Sequence, residues 1–547
     1  MTTPMLTLLN AARLAEHRGD GFWRDETLYQ LAAAHVRATP SSIAVRDRFR
    51  SLTWSALVAA ADRLAADLHR RGVRAGRRVA VWLPARIETA VVLLACSRNG
   101  LICCPSLHRD HTVADIVALL ARMRAEALIV QPSHGADAAS ADIVAAAGAL
   151  ASMRHIYALP PPQAGEPFTD LAAGDLPPVN NDPDCISYLA FTSGTTGQPK
   201  GVMHSDNTLL ANARAMSADW NFTARSVLYS MSPLSHNLGL GALICAILTG
   251  AELVVHDLPR GQSLCDRLEQ SQASFLFGVP THAFDLLAEL REQPRARIGR
   301  LSGFRISGAA APENVITGLL AHGVVPQAGY GMTETCSHQY TLPDDPPALI
   351  EQSSGRACPG YAVRIVATDD PDRTLPAGEV GQIAGRGASL MLGYYDDQGA
   401  TEDSFNQEGW FLTGDLGWLD DAGYLRVTGR KKDLIIRGGH NIYPARIEQL
   451  ASRNPMIDKV AAYAVPDERL GEKICLALVP RGAAPDPQSV LAHLDEQGLS
   501  RYDMPEYIVV LDAMPLTASG KILKRELVEW TAQGRIMPQP VRFSGQR

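Results

Sequence analysis

Between Thr192 and Gly201 the chain reads TSGTTGQPKG, so Thr192, Ser193, Gly194, Thr195, Thr196, Gly197 and Lys200 fall within ten residues. Glycines let backbone N–H groups turn toward an anion, and the hydroxyls add donors. Lys200 adds a point charge suited to phosphate. The apolar run Ile186 to Phe191 precedes the loop and reads as a strand. Ser205-Asp206-Asn207 reads as a helix start, with Leu209, Leu210, Ala213 and Met216 at helical spacing after it. The loop is therefore expected to link a strand to a helix. A flexible surface loop is the bland alternative for a Gly/Ser/Thr run, and the lysine weighs against it. GxxxxGK[ST] does not fit, which excludes a Walker A loop.

Four more clusters follow in order: Tyr330-Gly331-Met332-Thr333-Glu334, then GWFLTGD ending at Asp415, then Gly429-Arg430-Lys431-Lys432-Asp433, then PLTASGK ending at Lys521. The ordered set resembles the adenylate-forming superfamily of acyl- and aryl-CoA ligases, luciferases and adenylation domains, and the resemblance covers nearly the whole chain. It implies an ATP-dependent reaction in which a carboxylate meets the α-phosphate of ATP. Two anions then share one site, which must neutralise charge and hold the attack in line. On that resemblance the 192–201 loop holds the β- and γ-phosphates, Thr333 donates to the α-phosphate and Glu334 is the Mg²⁺ ligand. Tyr330 offers a face for adenine beside the turn Ser307-Gly308-Ala309-Ala310. Asp415 and Arg430 take the ribose. Lys521 bridges carboxylate and α-phosphate, and Lys432 is the hinge about which a C-terminal domain turns for the thioester step. That turn brings Gly438, Gly439, His440 and Asn441 to the coenzyme A tunnel, with Lys473 as a phosphate contact. His440 and Arg446 depart from the common family wording of that segment, GGENIYPAEIE. A lone Tyr, Asp, Arg or C-terminal Lys is more often structural; the matched order overrides that.

His236, in SPLSHNLG, matches the family position that gates the carboxylate pocket, and a satisfied core histidine is the alternative. The pocket candidates are His236, Asn237, Leu238, Thr281, Ala309, Gly331 and Met332. None carries a fixed charge, which favours an uncharged acyl group over a diacid or amino acid. The stretches at 21–26 and 103–111, together with GGHNIYPARIE, resemble bacterial cyclohexanecarboxylate-CoA ligases. Cyclohexanecarboxylate is the expected acid, with medium-chain fatty acids and benzoate next. An adenylation domain that loads a carrier protein is the reading from another class. Amino-acid adenylation lacks the acid expected near Ser235 to Gly239. A binding protein would be expected to have lost Lys521 or Glu334. Lys521 sits in a loop open to a lysine acetyltransferase and its deacetylase.

Positioning these groups takes a large scaffold. At 547 residues the chain exceeds one core. Strand–helix alternation (Val79 to Leu83, Glu88 to Arg98, Val113 to Met123, Ala127 to Val130) argues for an α/β fold with largely parallel sheets. Pro160 to Pro183 reads as a loop between two subdomains. Gln382 to Gly385 and Tyr424 to Thr428 suggest an added β-rich piece. The domains are expected at 1–431, a multi-subdomain AMP-binding body, and at 432–547, a small mobile α+β domain. A net charge of −7 argues against a nucleic-acid surface. Nine cysteines without a CxxC pair fit reduced thiols and a cytoplasmic setting. Leu238 to Val255 reads as a buried helix and strand, not a membrane span. Cys336 is assigned to packing. Oligomeric state is not legible.

Overall fold

The computed structural model describes residues 5–169, 171, 174–192, 199–259, 261–308, 311–438, 440–516 and 522–543. They divide into two compact units: Met1–Val363, Gly385–Phe405 and Gly409–Phe411 in the first, Arg364–Ala384, Asn406–Glu408 and Leu412–Arg547 in the second.

The first unit holds two mixed sheets with helices packed on them. One has six strands in the order His155–Ala158, Ala127–Val130, Arg78–Trp82, Ile102–Cys104, Ile186–Thr192, Lys200–Ser205. The other has nine, in the order Arg356–Ala357, Cys336–Tyr340, Val325–Met332, Gly303–Ser307, Phe275–Gly278, Val227–Ser230, Glu252–Val255, Ile43–Arg46, Ser51–Thr53. The inner pairs of both are parallel; antiparallel pairs close both edges of the nine-stranded sheet and the Lys200–Ser205 edge of the six-stranded one, while His155–Ala158 pairs parallel. Strands such as Arg78–Trp82 and Ala127–Val130 are buried throughout, as parallel strands covered on both faces must be.

Two expectations fail here. The segment from Pro160 to Pro183 does not divide two subdomains: strands on either side of it, Ile102–Cys104 and Ile186–Thr192, pair in one sheet through Cys103 and Tyr188. The 192–201 loop does not lead straight into a helix. It closes a hairpin in which Thr192 pairs with Lys200 and Phe191 with Gly201. The strand Lys200–Ser205 escaped notice because KGVMHS mixes polar and apolar residues without alternation, yet it is buried from Gly201 onward.

The helix Asp206–Asp219 then begins at Ser205, whose side chain accepts from the Thr208 backbone in a capping box. Its first residue ties several elements together. The buried Asp206 carboxylate accepts from Leu28 N at 2.9 Å, Ser97 Oγ at 2.8 Å and Ser187 Oγ at 2.5 Å. Burial pushes this carboxyl upward and the three donors oppose it. Unmaking such a set costs about 1–3 kcal/mol for each buried group left unpaired.

From 361 to 430 the chain forms a four-stranded sheet in the order Tyr361–Val366, Gly381–Gly387, Phe411–Leu419, Leu425–Arg430, the β-rich piece. In the second unit a further sheet is built on the long hairpin Ile457–Asp467 and Gly471–Pro480, with Tyr507–Val510 parallel to the latter. The helices Pro444–Ala451 and Pro487–Glu496 bury Ile447, Leu450, Val490 and Leu494 in the same core cluster as Ile474 and Leu476. All nine cysteines are free, and eight of them are buried.

Candidate functional site

The turn Tyr330-Gly331-Met332-Thr333-Glu334 sits where the strand Val325–Met332 meets Cys336–Tyr340. Their register slips between Tyr330 and Met332. Backbones approach so closely there that a Cβ on Gly331 would lie 2.0 Å from the Cys336 carbonyl oxygen, which only glycine avoids. Hydrogen bonds pin the turn from outside. His204 Nε2 donates to the Thr333 carbonyl at 2.7 Å, Met391 N to the Glu334 carbonyl at 2.7 Å, and Ser389 Oγ to the Thr335 carbonyl at 3.1 Å. A carbonyl only accepts, so Nε2 of His204 carries the proton and Nδ1 faces Thr208 Oγ1 at 3.0 Å. Burial pushes His204 down to about 4, so the ring is neutral at pH 7.

The segment after the turn carries a residue that sequence reasoning missed. Leu392 N and Tyr395 N donate to Met203 O and Gly201 O, stitching 388–395 along the Lys200–Ser205 strand. Tyr394 thereby places its hydroxyl on Glu334, donating to Oε1 at 2.9 Å. Lys200 Nζ lies 4.6 Å from the centroid of the same ring. One tyrosine thus joins the loop lysine to the carboxylate expected to hold metal. Burial and then the Glu334 charge raise the Tyr394 hydroxyl, so it stays a donor. Nothing in the sequence marks Tyr394, which is separated from Glu334 by 60 positions.

Thr192 ends its strand, its Oγ1 donating to the Lys200 carbonyl at 3.4 Å. Gly308 follows the strand Gly303–Ser307 with φ +94°, a conformation for glycine. Ser193, Gly194, Thr195, Thr196, Gly197, Ala309, Ala310, Gly439 and Lys521 lie outside the described residues.

Beside the turn lies a small cavity of about 20 Å³, room for about one water. Leu209, Asn212, Ala213 and Met216 line it from one helix and Asn237, Leu240, Gly241 and Ile244 from the next, Asn237–Thr249. Both sets follow the i, i+3, i+4, i+7 spacing of a single helix face. Cys336 and Ser337 complete the wall. Asn237 reaches the turn, its Nδ2 donating to the Met332 carbonyl at 3.4 Å. His236 precedes it and stacks on His108, with ring centroids 4.1 Å apart and planes 10° from parallel. His108 Nδ1 lies 3.2 Å from Ser235 Oγ, and burial together with the neighbouring His236 and His111 pushes it down to about 3. Thr281 is exposed at the start of the helix Pro280–Glu292.

In the second unit Asp415 and Arg430 face each other across antiparallel strands, with Arg430 Nε 3.2 Å from Asp415 Oδ1. Lys432 lies in the 3-10 turn Lys431–Asp433, and burial lowers its ammonium. Gly438, with φ +57°, makes the turn between strands Ile435–Arg437 and His440–Ile442, which contains Asn441. His440 Nε2 is 3.5 Å from Asp503 Oδ1. Lys473 is taken up by Asp467, at 2.5 Å. The described residues hold no cluster of three metal-ligating side chains and no helix long and apolar enough to cross a membrane.

Residues 32–395 match the AMP-binding enzyme family and residues 446–521 the AMP-binding enzyme C-terminal domain. The medium-chain fatty-acid–CoA ligase of Escherichia coli is 33% identical over 526 residues, covering 94% of this chain and 92% of that protein. The indoleacetate–CoA ligase of Aromatoleum aromaticum is 33% identical, covering 92% and 98%. The crystal structure of ATP-bound MatB from Rhodopseudomonas palustris superposes with a TM-score of 0.81 at 28% identity, covering 92% of this chain and 99% of that one. Motif order, sheet topology and full-length similarity agree, and the chain belongs to the AMP-binding enzyme family as an ATP-dependent acyl-CoA ligase that works through an acyl adenylate.

Proposed function

We propose that this ligase activates an uncharged monocarboxylic acid of the size of cyclohexanecarboxylate. The observation that supports the reading is that the pocket candidates His236, Asn237, Leu238, Gly331 and Met332 carry no fixed charge, with Asn237 Nδ2 on the Met332 carbonyl at 3.4 Å. A medium-chain linear acid is the second reading, favoured by the medium-chain fatty-acid–CoA ligase among the relatives.

In this account the acid binds with its carboxylate beside Asn237 and the Tyr330–Glu334 turn. A carboxylate oxygen attacks the α-phosphorus of ATP, and pyrophosphate leaves with the bridging oxygen. Lys200 and the 192–201 loop hold the leaving phosphates, and Thr333 donates to the α-phosphate. Glu334, oriented by Tyr394, is a hard oxygen ligand that fits Mg²⁺, which supplies charge neutralisation between the phosphates. Asp415 and Arg430 hold the ribose hydroxyls, Tyr330 and the Gly308 turn the adenine. Lys521 neutralises charge between carboxylate and phosphate during this step only. Turning about Lys432, at the 431/432 boundary, then withdraws Lys521 and presents Gly438 to Asn441 to the thiol. The thiolate of coenzyme A attacks the acyl carbonyl, and AMP leaves.

The test is kcat/KM for cyclohexanecarboxylate, cyclohexenecarboxylate, benzoate, hexanoate and octanoate, with ATP and coenzyme A saturating. One methylene is worth about 1–3 kcal/mol in an apolar pocket, so near neighbours are expected to differ by roughly 10–200-fold at most, with cyclohexanecarboxylate first. A preference for benzoate by more than about tenfold would overturn the ring-acid reading, and a preference for octanoate would favour the second.

A further inference from the structure

The stretch Cys103 to His111 belongs to none of the ordered motifs, yet it touches two parts of the site. Cys103 pairs with Tyr188, and Ser106 Oγ accepts from Phe191 N at 2.8 Å, both on the strand that leads into the 192–201 loop. Farther along, His108 meets the segment that precedes the helix Asn237–Thr249. The His108 and His236 rings stack with centroids 4.1 Å apart and planes 10° from parallel. His108 Nδ1 also lies 3.2 Å from Ser235 Oγ. One ring thus engages Ser235 and His236 together, and the next residue, Asn237, donates to the Met332 carbonyl of the turn at 3.4 Å.

His108 is itself held from behind. Trp82 Nε1 donates to its carbonyl at 2.9 Å, and its backbone N–H donates to His111 Nδ1 at 3.2 Å. Trp82 is fully buried and lies against Gly135, where a Cβ would stand 2.6 Å from the indole ring. Burial, with His236 and His111 alongside, keeps the His108 ring neutral at pH 7, so it brings no charge against its neighbour. Ring stacking is directional: turning either ring out of the common plane loses it. Ordering a loose side chain when a ligand binds costs rotamer entropy, and a ring already fixed avoids that cost.

We propose that His108 is a positioning residue for the acid step: it holds the His236 ring preset, so that the incoming carboxylate meets it in one orientation beside the turn carrying Thr333 and Glu334. The proposal rests on the acid-binding role given to His236 above. It gives the 103–111 stretch a part in the reaction that the motifs do not assign.

The test uses whichever of the five acids above the parent turns over best. Thioester formation is followed in the parent, His108→Ala, His108→Phe, His108→Gln, His236→Ala and the double variant His108→Ala with His236→Ala. The acid is varied with ATP and coenzyme A saturating, then ATP with the acid saturating. His108→Ala is expected to raise KM for the acid by roughly 3–10-fold, the range over which ring pairs contribute, with KM for ATP within about twofold of the parent. His108→Phe keeps a flat ring without Nδ1 and is expected to stay near the parent. His108→Gln keeps a polar reach without a ring and is expected to follow His108→Ala. On the His236→Ala background, His108→Ala is expected to change the acid KM no further, since a residue that acts through another couples to it. A purely structural loss would lower kcat through less folded enzyme and leave KM unmoved. A parent-like acid KM in His108→Ala, equal rises for acid and ATP, losses that add in the double variant, or a His108→Gln closer to the parent than His108→Phe would each overturn the proposal. If His108→Ala does not fold, the contrast between His108→Phe and His108→Gln decides. An unchanged acid KM in His236→Ala would instead sink the acid-binding role of His236, and the proposal with it.

Discussion

At the scale of residues, the site divides into groups that motifs reveal and groups that only folding reveals. Glu334, Asp415 and Arg430 stand out as candidates in the sequence because each holds a fixed place in an ordered motif. Tyr394 and His204 do not, because they act on the turn from the segment 388–395 and the strand Lys200–Ser205. Tyr394 makes a direct prediction. Outer partners of a metal ligand typically matter 10–100-fold, because they fix the ligand's orientation. Tyr394→Phe removes the hydroxyl from Glu334 and keeps the ring under Lys200. Pyrophosphate exchange is expected to fall about tenfold and to need more Mg²⁺, with stability lowered by only about 1 kcal/mol. An unchanged Mg²⁺ titration would show that Glu334 needs no such support.

At the scale of elements, helices and buried strands were legible and the pairing between them was not. The run Glu88 to Arg98 reads as a helix, and Glu88–Asn99 is one. The run Leu238 to Val255 resolves as expected into the helix Asn237–Thr249 and the strand Glu252–Val255. The hairpin Ile186–Thr192 with Lys200–Ser205 was hidden because its second strand is buried while carrying Lys200, His204 and Ser205. Those polar residues serve the site and the next helix cap, so local pattern gave way to tertiary demand. GWFLTGD was recognised as a motif but not as the strand Phe411–Leu419, since the alternation of a half-buried strand is broken by Gly414 and Gly417. The cavity was half legible. Leu209, Ala213 and Met216 were read as one helical face, but a face packed on core and a face lining a cavity look alike in sequence.

At the scale of the whole molecule, buried neutral histidines set an acid limit. Burial pushes His108 and His338 down to about 3, and His134, His204, His256 and His282 down to about 4. The unfolded chain binds protons at these rings below about pH 6.5 and the folded chain does not until far lower. Their contribution is thus complete above about pH 6.5 and lost as pH falls through 6.5 toward 4. The unfolding midpoint is expected to drop steadily from about pH 7 to pH 5 with proton uptake on unfolding, and a flat profile would contradict this. Glu88 adds a later loss: despite burial, Arg86 and Arg50 hold it down to about 2. The central claim is that one chain runs adenylation and thioester formation in succession, with Lys521 serving only the first. The direct measurement compares Lys521→Ala with the parent on acid plus ATP, read as pyrophosphate release, and on synthetic acyl adenylate plus coenzyme A, read as thioester and AMP. The account expects a loss on the order of 10²–10³ in the first, the cost of removing a positioned transition-state charge. In the second it expects parent-like rates, with one AMP for each thioester. Equal loss in both half-reactions would contradict it, as would an adenylate that acylates a carrier protein and leaves coenzyme A untouched.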